Sequence, residues 1–115
     1  MEIKVIKGSI SRKELSEIAS AEFGDIVKAV VDVSQKIMAV GGELHADEEA
    51  LLSEKEGTKR ENAWGINLYP NRVGDDWIEF DSMINIKPQH GNRSRSVEDL
   101  ETREKIRSVV NRLVC

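Results

Sequence analysis

The side chains best suited to chemistry crowd the second half of the chain. Arg93 and Arg95 stand in the stretch Gly91-Asn92-Arg93-Ser94-Arg95-Ser96, directly after His90. Guanidinium groups grip carboxylate or phosphate with paired hydrogen bonds, and the flanking hydroxyls and amides add donors. Just upstream, alternation over 77–87 places Ile78, Phe80, Ile84 and Ile86 on one face of a strand and Trp77, Glu79, Asp81, Met83, Asn85 and Lys87 on the other. The polar residues Glu79, Asp81 and Asn85, joined by His90, Asn92, Arg93 and Arg95, form the candidate ligand-binding set. Its natural occupant is a small anionic or polar molecule. The same pattern also describes a solvated sheet face whose nearby arginines pair with the acidic segment 43–56.

Three further patterns carry less. His45 and Glu49 lie four apart, so on a helix they share a face, and His90 completes a two-histidine, one-carboxylate set. Surface or capping roles serve these histidines equally well, and no metal or cofactor is assigned. Gly41-Gly42, between a strand and a helix, can turn backbone amides toward an anion. Yet no Walker or dinucleotide fingerprint accompanies it, and Glu43, Asp47, Glu48 and Glu49 would repel a phosphate. Cys115, the single cysteine, excludes an internal disulfide and any zinc cage built on cysteine.

Positioning these groups falls to elements that the pattern marks out in turn. Residues 2–7 read as a strand. A helix follows from Ser11, where Ser-Arg-Lys-Glu matches a capping box with Glu14 reaching back and Ile10 and Leu15 as a staple. Its stripe of Leu15, Ile18, Ala19 and Phe23 ends at Gly24. Residues 25–33, an apolar run broken by Lys28 and Asp32, and residues 36–40 read as a hairpin turning at Ser34-Gln35. A helix over 44–54 follows, with acids at its positive end. Strands over 63–69 and 77–87 form a second hairpin through the turn-rich stretch 70–75. A last helix spans 99–113, its stripe formed by Ile106, Val109, Val110, Leu113 and Val114. The aperiodic connection 88–96 is the kind that is functional or mobile.

The order β-α-β-β-α-β-β-α predicts an α+β fold: a mixed, largely antiparallel sheet of about five strands with three helices, in a single domain over residues 1–115. Four stretches carry a resemblance: 38–49 (MAVGGELHADEE), 64–70 (WGINLYP), 76–86 (DWIEFDSMINI) and 91–95 (GNRSR). In these the chain resembles a family of small prokaryotic proteins carried as a domain of unknown function. The likeness runs from about Asp25 onward. It implies no catalytic or binding residue. Family members often carry proline after Val-Glu-Asp, where this chain has Leu100.

Composition narrows the functional classes. With 17 basic and 21 acidic residues the net charge is −4, which disfavours nonspecific nucleic-acid binding. No apolar run has the length of a membrane span and the first residues do not read as a signal peptide, so a cytoplasmic protein is expected. The leading expectation is a noncatalytic or regulatory binding domain. One alternative is a hydrolase acting on RNA or a phosphoester, with a histidine or carboxylate as general base and an arginine stabilising developing charge. Another is a homo-oligomeric interaction protein anchored by Trp64, Tyr69 and Trp77.

Overall fold

The computed structural model describes residues 2–115. The elements are β1 (Lys4–Ile6), α1 (Arg12–Ala21), β2 (Val27–Asp32), β3 (Ile37–Val40), α2 (His45–Glu56), β4 (Ala63–Leu68), β5 (Ile78–Glu79) and α3 (Leu100–Leu113), with short 3-10 turns between them. The five strands lie in the order β1-β3-β2-β4-β5, and every ladder is antiparallel. This is the expected α+β fold.

Both faces of the sheet are covered, which explains why the central strands are apolar on both sides. Val27, Ala29, Val31, Ile66 and Leu68 join Leu15 and Ala19 of α1 and Ile106, Val109 and Val110 of α3 in the larger cluster. Val30, Ile37, Ala39 and Ala63 pack on the opposite face against Leu52 of α2 and Ile84. Two of the three expected anchors are spent inside: Trp64 and Trp77 are buried, one under the Lys87 ammonium and the other under the Arg12 guanidinium.

Caps fix the helix starts. Ser11 Oγ accepts from the Glu14 amide, but the Glu14 carboxylate turns to Lys4 at 2.9 Å instead of closing the capping box. Helix α1 stops at Ala21, and Gly24, at φ +100, returns its amide to the Ala19 carbonyl. Phe23 is consequently exposed and not part of the stripe. The Asp99 carboxylate caps α3 through the Thr102 amide and hydroxyl.

Two connections differ from expectation. The first hairpin turns over four residues, 33–36, because the buried Asp32 carboxylate accepts from the Ser34 and Gln35 amides, the Gln35 side chain and the Thr58 hydroxyl. Lys36 closes it at φ 60. More consequential is 77–87, which is not one strand. Main-chain pairing with β4 ends at Glu79, and Ser82 starts a 3-10 turn over Met83–Asn85, its hydroxyl accepting from the Ile84 amide. The chain thereby crosses the plane of the sheet, so Ile78 and Ile84, expected on one face, belong to opposite clusters.

Candidate functional site

Three strands and one helix start build a polar row on the α2 face of the sheet. Lys28 of β2 lies opposite Asn67 of β4, which lies opposite Glu79 of β5. Asn67 donates through Nδ2 to Glu79 Oε1 at 2.8 Å and to the Asp81 carbonyl at 3.3 Å. Tyr69 completes the edge, its hydroxyl donating to the same Glu79 oxygen at 3.2 Å. Burial, together with this carboxylate, pushes the Tyr69 pKa up.

His45, the first residue of α2, leans over the row. Its Nε2 lies 2.8 Å from the Ile66 carbonyl, and a carbonyl can only accept, so Nε2 carries a hydrogen. Burial holds the His45 pKa below 6.5 against the pull of that bond; Lys28 adds to the lowering, while Asn67 and Asp81 oppose it. Around these groups a cleft of about 260 Å³ opens, with Lys28, His45, Asn67, Asp81 and Arg95 as its polar lining. Leu44 and Met83, 54% and 64% exposed, form an apolar rim. Arg95 and Asp81 thus meet in a cleft that the Lys28 side chain also lines, the Lys28 ammonium itself donating to the Glu43 carbonyl at 2.9 Å.

Arg95 reaches the cleft because its backbone is pinned. The Arg95 carbonyl accepts from the Ser82 amide at 3.0 Å and from Asn85 Nδ2 at 2.9 Å. Its Nε then donates to Asp81 Oδ1 at 2.7 Å, and its two Nη groups have no protein partner among the described residues.

The structure thus brings together Arg95, Asp81 and Glu79 of the predicted set and gives the others different work. Asn85, fully buried, hydrogen-bonds the main chain of Gly65. Asn92, also buried, donates to the carbonyls of Asn85, Ser94 and Ser96 and accepts from the Glu98 amide, which organises the 88–96 connection. His90 and Arg93 are exposed and do not line the cleft. His45, Lys28 and Asn67 complete the site instead. A lysine breaking an otherwise buried strand was the legible signal for Lys28.

A protein-family model described as a protein of unknown function (DUF5674) matches residues 4–113. The chain belongs to that family. No curated protein and no solved structure gives a significant match. Family membership leaves the activity open, so the chemistry of this DUF5674 chain rests on its geometry.

Other polar patterns resolve within the fold. The Gly42 amide does meet an anion-type acceptor, but it is the chain's own Glu48, at 2.9 Å. His45, Glu49 and His90 do not assemble: Glu49 pairs with Arg60, and no metal-holding group of three acids, histidines or cysteines forms among the described residues. A larger groove of about 480 Å³ runs along α3, lined by Lys36, Glu101, Glu104, Lys105 and Arg112. None of the buried, unpaired side-chain atoms among the described residues belongs to its lining. No described helix is long and apolar enough to cross a membrane.

Proposed function

We propose that this protein is a binding domain for a small anionic ligand, seated in the cleft beneath α2 and held by Arg95. The carrying observation is the Arg95 guanidinium, oriented by Asp81 through Nε alone, with both Nη groups free at a cleft that also holds Lys28. A guanidinium fixed at one edge is prearranged for a carboxylate or phosphate at the other. The Leu44 and Met83 rim suits a ligand with a modest apolar body. A cytoplasmic setting is part of this reading.

Hydrolysis of RNA or a phosphoester would need a proton acceptor open to the substrate. His45 shares the cleft with Arg95, but it is half-buried with Nε2 engaged by the Ile66 carbonyl, which supports binding over proton transfer. The oligomer reading is weakened by the burial of both tryptophans.

The test is a thermal-shift screen of phosphate, sulfate, mono- and dicarboxylates and nucleotides against the native chain, Arg95→Ala and Arg93→Ala. Hits are expected to be lost in Arg95→Ala and retained in Arg93→Ala. Retention of every hit in Arg95→Ala would overturn the assignment.

A further inference from the structure

His45, when neutral, has one hydrogen to give. Ile66 takes it at Nε2. Asn67 lines the same cleft, and its orientation is not free: both groups facing its Nδ2, the Glu79 carboxylate and the Asp81 carbonyl, are acceptors. Asn67 Oδ1 must therefore point the other way, and it is buried without a hydrogen-bond partner in a residue only 7% exposed. An unpaired buried acceptor is costly. A second hydrogen on the His45 ring, at Nδ1, is the donor that a residue lining the same cleft can supply.

The surrounding charges decide when that proton arrives. Lys28 from β2, its ammonium on the Glu43 carbonyl, opposes it, and Asp81 after β5, paired with Arg95, favours it. Glu79 of β5 is engaged with Asn67 and Tyr69, and Glu49 on the same helix is paired with Arg60. With the cleft empty, burial and Lys28 prevail. An anion on the free Nη groups of Arg95 reverses the local sign.

Building on the binding reading above, we propose that the anion enters this cleft together with a proton. One proton moves from solvent to His45 Nδ1, satisfies Asn67 Oδ1 and leaves the ligand beside a cation additional to Arg95. His45 then contributes charge to binding, while its two N–H groups remain committed to Ile66 and Asn67. Linkage makes the effect mutual: the anion raises the His45 pKa by the same factor by which protonation tightens the anion.

Sulfate is the probe, because it does not itself titrate near neutrality. Calorimetric titrations at pH 5.5, 6.5 and 7.5, each in two buffers of different ionisation enthalpy, read affinity and proton uptake together. We expect affinity to rise about fivefold or more from pH 7.5 to 5.5, with net proton uptake near pH 6.5. Nitrogen-15 NMR should show the His45 ring becoming doubly protonated as sulfate is added. His90→Gln should keep the coupling, whereas His45→Leu should bind sulfate more weakly at pH 5.5 and show neither proton uptake nor pH dependence. Sulfate binding that is lost in Arg95→Ala yet takes up no proton would overturn the coupling and leave the site standing. Absence of Arg95-dependent sulfate binding at every pH would overturn both.

Discussion

Asn85 gives Gly65 the two hydrogen bonds that a neighbouring strand would give: its Oδ1 accepts from the Gly65 amide at 2.8 Å and its Nδ2 donates to the Gly65 carbonyl at 2.9 Å. One side-chain amide thus continues the sheet beyond the point where β5 turns away. The same Nδ2 holds the Arg95 carbonyl, so the edge of the sheet and the cleft share one residue. Asn85→Ala is expected to cost about 2–4 kcal/mol, since it strands buried main-chain groups. Asn85→Asp, which sets a carboxylate oxygen against two carbonyls, should cost at least as much. Urea denaturation checks both.

Gly65 is constrained from the opposite direction. A Cβ there would stand 2.5 Å from Ser82 Oγ and 3.1 Å from Ile84, on the segment that crosses the sheet. Gly65→Ala should lower stability by about 1–3 kcal/mol, as overpacking does. Ser82→Gly in the same chain should restore part of the loss, measurable as a double-mutant cycle.

Lys87 continues the edge that Asn85 begins. Its Nζ donates to the Arg60 and Ala63 carbonyls, each at 2.6 Å, and sits 3.7 Å from the Trp64 ring centroid. Lys87→Met keeps most of the volume but leaves both carbonyls unpaired, for an expected cost of about 2–4 kcal/mol at pH 7. Burial, with Arg60 close by, lowers the Lys87 pKa from 10.5 to about 8. Between those values the unfolded chain binds more protons, so this group makes stability rise with pH from about 8 to 10.5. Urea midpoints across that window should show the rise in the native chain relative to Lys87→Met.

Glu48 acts with the opposite sign. Buried over Gly42, it has its pKa pushed up from 4.5 to about 9, chiefly by loss of water, so it is protonated at neutral pH. The folded chain holds a proton there that the unfolded chain has released, and its stabilising contribution declines as pH rises from 4.5 through 9. Glu48→Gln keeps an acceptor for the Gly42 amide and removes the titration. It should be more stable than the native chain by about 2–4 kcal/mol at pH 8, with the gain vanishing toward pH 4.5. Denaturation at pH 4.5, 6.5 and 8 decides.

Arg95→Ala should separate binding from stability. Its partnership with Asp81 is half-exposed, with side chains 55% and 43% accessible. Losing it should therefore change stability by less than about 1 kcal/mol. Near-native unfolding with lost anion binding is the expected pair of results.

Local signals in the sequence were enough for most of the architecture. The Ser11 cap, the β-branched runs and the Ile106-Val109-Val110-Leu113 stripe each act within a turn or two of chain, and periodicity reports such short-range forces directly. They determined the α+β fold, three helices, two hairpins and the polar character of Glu79, Asp81 and Arg95. What the sequence did not contain was the crossing at Ser82. Alternation through Ile78, Phe80, Ile84 and Ile86 satisfies a strand, and nothing local forbids it. Only the three-dimensional fold brings Asn85 to Gly65, Lys87 to Ala63 and Asn92 to Asn85, exchanging main-chain pairing for side-chain pairing. That exchange took Asn85 and Asn92 out of the candidate site and fixed the Arg95 backbone at its edge. His45 entered the site for the same reason: its partner Ile66 is 21 residues away, and a hydrogen bond formed at that separation leaves no trace in local pattern.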